Sequence, residues 1–581
     1  METGDSLENY IWVPPKKDTK WINEIVSEFN IHPIVAQILL SRGFDSLESV
    51  HDFLYAKLPS LHPPNLMHDM DKAITRVVKA IKAKETILIY GDNDVDGMTG
   101  TALLVDFLRQ IGGQVLYYVP NRTNISSTMI DTALDFSLKN NCTLIITVDC
   151  GITAAKEIKE IVTHQIDVIV TDHHEPTEKI PHCIATLNPK LHNSTYPNRD
   201  LTGVGVAFKL AHGLTNYLVM QKEIAPKDVD LKSFLDLVAL GTVADMGTLL
   251  GENRILVRYG LKQFALTKRV GLVNLLKTAE VDLESISTLD IASKIAPRLN
   301  SLGRIDDPQK GVDLLLIEDI HQAADLAKEL EANNLARQQI ERQCSETLDI
   351  NLQNYANLEK SKAIVLYSDE IHPGVIPIIC ARIAKSHNRP TVIIAIDGDL
   401  GKGSLRTIKE FPLLPALKEL KHLLLSFGGH DFAAGLTIKK EHIEEFTQSF
   451  SAIVDKTLKT SDILYKLSLD SPVHFKELTF DFMQSLELLE PFGTGNPPPL
   501  FFADVVQAWA PKIVGKTHLK LFLDQDERML EGIGFGLSDM RKSLCKKHLR
   551  LEIVFTPHIN MFLNKPSIQL LIKDLKIKKP T

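Results

Sequence analysis

The spacing of apolar residues changes several times along the chain, and each change predicts a different kind of element. Up to about residue 80 the spacing is helical. A Pro-rich break at Leu61-His-Pro-Pro-Asn65 is followed by a stretch from Asp71 to Lys84 that carries Ala73, Val77, Val78 and Ile81. From Thr86 the apolar runs become short and continuous: TILIY, then LYYV at 116–119, LIITV at 144–148 and DVIV at 167–170. The segments between them are long enough for helices. Short, wholly apolar strands alternating with helices predict a parallel sheet covered on both faces, that is, an α/β domain.

Between Gly311 and Pro373 there is neither Gly nor Pro, and Ala323, Leu326, Ala327 and Leu330 recur at helical spacing amid dense charge. This predicts one long helix bridging two domains. A second α/β stretch follows, with strands AIVLY (363–367) and TVIIA (391–395), and it ends near the Gly-rich FGGHDFAAG (427–435). Beyond Pro491-Phe-Gly-Thr-Gly-Asn-Pro-Pro-Pro499 the segments HLKLFLD, LEGIGFG, RLEIVFTP and SIQLLIKD read as short strands separated by turns, which predicts a small β-barrel.

Composition bounds this picture. A chain of 581 residues calls for two to four domains, and 44% hydrophobic with 24% charged residues excludes disordered, collagenous and coiled-coil classes. The six cysteines lack metal-finger spacing, and METGDSLENYIWVPPKKD has no apolar core of a signal peptide; a reducing, cytoplasmic address is expected. The apolar run GVIPIICA (Gly374–Ala381) is far shorter than the roughly 20 residues that span a bilayer, so no membrane role is expected. A net charge of −8 argues against a nucleic-acid-binding surface over the whole protein and leaves room for local basic patches.

Candidate chemistry clusters where the first-domain strands end. The first runs into Tyr90-Gly91-Asp92-Asn93-Asp94-Val95-Asp96-Gly97, the third into Asp149-Cys150-Gly151 and the fourth into Asp172-His173-His174; a later apolar segment, LDLVALGTVAD, ends in Asp245. In open α/β sheets the carboxyl ends of the strands line one crevice, so these groups should converge there. Several carboxylates repel one another unless cations neutralise them, and oxygen ligands with one or two imidazoles suit Mn²⁺ or Mg²⁺. Two such cations can lower the pKa of a bound water and clamp phosphoryl oxygens, which points to phosphoester hydrolysis. Asp92-Asn93-Asp94-Val95-Asp96-Gly97 also matches the opening of an EF-hand, but the twelfth position is Leu103 where a bidentate Glu is needed. Cys150 has no CxxC partner and reads as buried and structural.

GDNDVDG, VDCG, TDHH and GTVAD, in this order, resemble the metal-binding motifs of the DHH phosphoesterase superfamily. GVGVAFKLA (203–211), APRLNSLGRIDD (296–307), HPGVIPIICARI (372–383), FGGHDFAAG and PFGTGNPPPLF (491–501) narrow the resemblance to RecJ-type single-stranded-DNA exonucleases, over nearly the whole chain. The resemblance implies a multidomain α/β architecture. Its expected parts are a helical prelude (1–80) packed on a parallel-sheet DHH catalytic domain (81–312), a connecting helix (313–358), a smaller α/β DHHA1 domain (359–465), and a linker with a C-terminal OB-fold barrel (466–581). It also implies a 5′-to-3′ exonuclease of DNA repair and recombination that uses two Mn²⁺ or Mg²⁺ ions.

Carried over by motif, the expected metal ligands are Asp92, Asp94, Asp96, Asp149, Asp245 and His173, with Asp94 and Asp149 central to catalysis and His174 on the scissile phosphate. Arg122, Arg298, His372, Ser404, Arg406 and His430 are expected as DNA or phosphate contacts. The chain departs from its relatives in three places. TNISSTMID stands after Arg122 instead of Gly-Tyr-Gly, Leu405 adds bulk within Gly403-Ser404-Leu405-Arg406, and Tyr90 stands where some members have a His ligand. The barrel region carries Lys512, Lys516, His518, Lys520, Arg541, Lys542, Lys546, Lys547, His548 and Arg550, a basic cluster suited to a DNA backbone. The expected partners are single-stranded DNA, a single-stranded-DNA-binding protein and a recombination helicase, with the chain as a monomer. Two other readings remain at this point: a phosphodiesterase for short oligonucleotides or cyclic dinucleotides, and a catalytically silent DNA-binding scaffold.

Overall fold

The computed structural model describes residues 10–121, 130–353, 361–545, 548–562 and 565–578. The chain divides into two compact units, one of Lys57–Ile463 with Gly493–Gly495, the other of Met1–Ala56, Leu464–Phe492 and Asn496–Thr581.

The first unit opens with the helix Met70–Lys82, whose buried stripe of Ala73, Ile74, Val77 and Val78 follows from their helical spacing. Five parallel strands follow: Thr86–Gly91, Gln114–Tyr118, Cys142–Val148, Asp167–Thr171 and Ala185–Leu187. They lie side by side in the order second, first, third, fourth, fifth. The order reverses between Thr86–Gly91 and Cys142–Val148, and at such a switch point the flanking loops diverge and leave a crevice at the carboxyl ends. The helices Val95–Gln110, Gly203–Met220 and Leu235–Ala244 are buried over most of their surface and share one core with one face of the sheet.

A 34-residue helix, Ile320–Gln353, is the expected bridge. The second α/β part is built on a mixed sheet. Ile364–Ser368 pairs in parallel with Thr391–Asp397, and Leu400–Arg406, Ala433–Lys439 and Leu424–Gly429 add in antiparallel order.

In the second unit Phe501–Val514, His518–Gln525, Arg528–Gly534, Lys565–Ile577 and Arg550–Phe562 pair in succession, and Phe501–Val514 also pairs with Arg550–Phe562, which closes a five-stranded barrel. One expectation is corrected here. Residues 57–80 lie in the unit of the first α/β part, but the described residues 10–56 belong to the barrel unit and not to the DHH region. The apolar faces of their helices, with Ile25, Val35, Ile38, Leu39, Val50 and Leu54, share a core with Phe475, Phe482, Phe501, Leu519 and Phe555. An amphipathic stripe records that a face is buried and not what covers it. No helix among the described residues is long and apolar enough to cross a membrane.

Candidate active site

The loop after Thr86–Gly91 turns straight into the helix Val95–Gln110, with Asp94 as its N-cap accepting from the amide of Gly97 at 3.1 Å. Asp96, in the first turn of that helix, is 1% exposed. Its two carboxylate oxygens accept from the amides of Gly203 at 2.6 Å and Val204 at 2.8 Å, the first residues of the helix Gly203–Met220. A buried carboxylate is thus fixed on a helix N-terminus, whose free amides and dipole favour negative charge. Gly203 is required there: a Cβ on it would stand 2.6 Å from both Cβ and Oδ1 of Asp149. Asp149, directly after Cys142–Val148, is 1% exposed and left-handed at φ 62. Asp245 is the C-cap of the helix Leu235–Ala244, so the fourth acidic position ends a helix and not a strand.

These groups do converge. Three sets of ligand atoms lie within 4.8 Å of one another: Asp149, His173 and His174; Asp96, His173 and Asp245; and Asp92, Asp94 and Asp149. His173 Nε2 stands 3.1 Å from Asp149 Oδ1, 3.8 Å from Asp96 Oδ2 and 3.7 Å from Asp245 Oδ2. Burial, and then the carboxylates around them, hold Asp96 and Asp149 well above the usual carboxylate range, and burial with Asp94 pushes Asp245 up to about 7. Burial, and then the charge on His174, push His173 down to about 3, which leaves a neutral imidazole. Asp149 Oδ1 and His173 Nε2 are buried and make no hydrogen bond. Crowded carboxylates, a neutral imidazole and two orphaned ligand atoms are the donor set that hard divalent cations satisfy, so these residues fit Mn²⁺ or Mg²⁺.

Asp172 has a different task, which the sequence did not disclose although it stands in the TDHH motif. It accepts from the amides of Ile152, His173 and His174 at 2.9, 2.7 and 3.1 Å, and from His174 Nδ1 at 2.7 Å. Burial disfavours the charged imidazole of His174, but the hydrogen bond and charge of Asp172 outweigh it and push His174 up to about 9.

The second sheet contributes His430, whose ring stacks on that of His174 at 5.6 Å and 8°. Ser404 and Arg406 share one face of the strand Leu400–Arg406, while Leu405 points into the apolar core on the other, so its bulk is kept away from them. Arg406 donates to Ser404 Oγ at 3.0 Å and to the Leu405 carbonyl at 2.8 Å. Arg304, in the APRLNSLGRIDD motif, donates to the Gly374 carbonyl at 3.1 Å. Burial, then the charges of Arg337 and Arg406, lower its pKa, and Glu341 and then Asp94 partly offset them. Neither Arg304 nor Arg406 forms an ion pair among the described residues.

Two expected contacts are engaged in other work. Arg298 pairs with Glu331 of the bridging helix and donates to the Lys294 carbonyl at 2.6 Å. His372 is an N-cap whose Nδ1 accepts from the Gly374 amide at 3.1 Å. Arg122 lies outside the described residues. Tyr90 is hydrogen-bonded to Thr132 at 2.9 Å and packs with Leu88, Ile145 and Val168. Cys150 is half-buried.

The fold and the carboxylate–imidazole cluster define a metal-dependent phosphodiester hydrolase of the DHH class. The DHH family N-terminal domain matches residues 86–242, the DHHA1 domain residues 360–456 and the RecJ OB domain residues 469–574. Over 572 residues the chain is 33% identical to the single-stranded-DNA-specific exonuclease RecJ of Bacillus subtilis, covering 98% of this chain and 71% of that one. Identity to the Escherichia coli RecJ is 32% over 561 residues, covering 94% and 96%. The crystal structure of Thermus thermophilus RecJ with Mn²⁺ superposes with a TM-score of 0.83 at 28% identity, covering 99% of this chain and 80% of that one. The chain belongs to the RecJ family of single-stranded-DNA-specific exonucleases.

Proposed function

We propose that this exonuclease degrades single-stranded DNA from the 5′ end, holding two divalent cations on Asp92, Asp94, Asp96, Asp149, Asp245 and His173. The observation that carries this reading is the pair of buried, unbonded ligand atoms, Asp149 Oδ1 and His173 Nε2, amid carboxylates held far above their usual range. Held on these residues, Mn²⁺ or Mg²⁺ would supply water activation and neutralisation of charge on the phosphoryl oxygens.

The protein's own groups do the rest. Asp172 keeps His174 protonated, so its free ring edge can donate to a phosphoryl oxygen as charge builds in the transition state. His430, stacked on His174, limits where that ring can go. Arg304, Ser404 and Arg406 offer donors to a further phosphate, and a pocket for a terminal phosphate beside the cluster would favour one end of the strand. The barrel unit holds more of the strand: Trp509 is 51% exposed, its ring lies 5.2 Å from that of Phe522, and Lys512 and Lys520 stand over Phe522 at 5.9 and 5.5 Å. An aromatic surface with lysines suits stacked bases and their phosphates. A single-stranded-DNA-binding protein and a recombination helicase as partners, a monomeric state and a cytoplasmic address are proposed on the family resemblance.

The test is a time course on single-stranded DNA labelled at one end or the other, on duplex DNA and on a dinucleotide, with Mn²⁺, Mg²⁺ or EDTA. Expected are release of 5′-terminal mononucleotides from single strands, little action on duplex, and none in EDTA. Preference for the dinucleotide, or release from the 3′ end, would overturn the reading.

A further inference from the structure

Two exposed apolar side chains lie within two residues, along the chain, of Asp245 and His430, and packing accounts for neither. The first is Met246, which directly follows Asp245. Thirteen non-glycine residues among those described have positive φ, and Met246, at φ 58, is the one that is apolar; it is 72% exposed. The left-handed turn itself is a helix stop, made by the Gly247 amide on the Thr242 carbonyl at 2.9 Å, and it accepts polar residues elsewhere in the chain. The segment is also held firmly. The Leu249 amide donates to the Thr494 carbonyl at 2.8 Å, and a Cβ on Gly247 would stand 2.6 Å from Thr202 Cγ2. A thioether is therefore presented to solvent from a rigid support.

The second is Phe432, 56% exposed at the turn between Leu424–Gly429 and Ala433–Lys439. That turn is closed by the His430 amide on the Ala433 carbonyl at 2.8 Å and by the Leu413 amide on the Asp431 carbonyl at 2.9 Å. The two residues adjoin the ends of one continuous row. Asp245 Oδ2 is 3.7 Å from His173 Nε2, the His173 and His174 rings are 4.6 Å apart, and the His174 and His430 rings 5.6 Å. Met246 follows the first member of the row, and Phe432 stands two residues after the last.

We propose that Met246 and Phe432 are apolar jaws that grip the nucleoside next to the phosphodiester being cut, so that the site recognises a base as well as a phosphate. The inference rests on the metal-cluster reading above and deepens it. Carboxylates give no purchase on a flat ring, and the His174 and His430 rings are already stacked on each other. A polarisable thioether and a phenyl ring give that purchase, and because every base has a π-face the grip is tolerant of sequence. Both side chains are largely in water, so neither substitution below opens a core.

The experiment measures kcat and KM with Mn²⁺ for the wild type, Met246→Asn, Phe432→Ala and Asp149→Ala. The substrates are a single strand with ordinary terminal nucleotides and the same strand with abasic residues at both ends. Asn accepts the left-handed backbone, so Met246→Asn keeps the turn. On the ordinary strand each jaw variant should raise KM roughly tenfold with kcat within about twofold, whereas on the abasic strand wild type and jaw variants should share one already raised KM. An unchanged KM on the ordinary strand, or the same fold-loss on both strands, would overturn the proposal. Asp149→Ala separates it from the reading beneath: turnover by that variant would sink the cluster, while its loss alongside unaffected jaw variants would sink the jaws alone.

Discussion

Asp149 stands in two of the three sets of potential ligand atoms, is buried, adopts a left-handed backbone and has a carboxylate oxygen with no hydrogen bond. Asp149→Ala should abolish cleavage and leave the fold intact, because it dismantles a polar site without opening an apolar cavity. The check that does not depend on activity is thermal. Mn²⁺ at about a hundred times its Kd should stabilise the wild type by about 2.7 kcal/mol, read as a rise in Tm, and the Ala variant should show little of that rise. Asp172 acts through its neighbour. Asp172→Asn should lower kcat by about 10² while the Mn²⁺-induced rise in Tm persists, since the charge that keeps His174 protonated is gone and the ligand set is not. Loss of the Tm rise would instead place Asp172 among the ligands. The sequence disclosed that Asp and His gather at the strand ends, but not which carboxylate faces the cluster and which turns its oxygens to the backbone, because that depends on the loop conformation around Ile152 and His174.

At the scale of elements, the start of the helix Gly203–Met220 places the site, since its first two amides hold Asp96 and its first residue leaves no room for a side chain beside Asp149. Gly203→Ala removes no ligand, yet it should lower kcat at least tenfold and weaken Mn²⁺ binding, as the helix must retreat from the carboxylates it fixes. Wild-type metal affinity in that variant, measured by calorimetry, would show that the helix end can yield at no cost to the site. The strands of the first sheet were legible because they are short, continuous apolar runs. LDLVALGTVA misled for the same reason: it is buried all round, and a helix without a polar face has no period to distinguish it from a strand. Arg298 shows the complementary failure. Its motif was legible, but its pairing with Glu331 depends on where the bridging helix lies, which no local pattern records.

At the scale of the whole molecule, the N-terminal helices and the barrel are one folding unit although more than 400 residues of sequence separate them. Sequence patterns reveal both partners and cannot reveal the partnership, since each shows only a buried face. Cutting the chain after Pro499 would strip Ile25, Val35, Ile38 and Val50 of the barrel's share of their core, Phe501, Leu519 and Phe555 included, so a truncate lacking activity would say little about DNA. The informative variant keeps the full chain and alters only the barrel surface, as Trp509→Ala with Lys512→Ala. One base stacked on the barrel surface contributes about 1 to 3 kcal/mol. The double variant should therefore raise KM by about 10- to 100-fold on long single strands and hardly at all on oligonucleotides shorter than the roughly 4 to 16 nucleotides an OB-fold covers. Its affinity for long strands should also fall less steeply with salt, by close to ~0.7 in the logarithmic slope, because the Lys512 ammonium no longer neutralises a phosphate and displaces its counterion. An equal loss on long and short substrates would mean that these side chains support the barrel and not the DNA, and unchanged binding to long strands would remove Trp509 and Lys512 from the path of the strand.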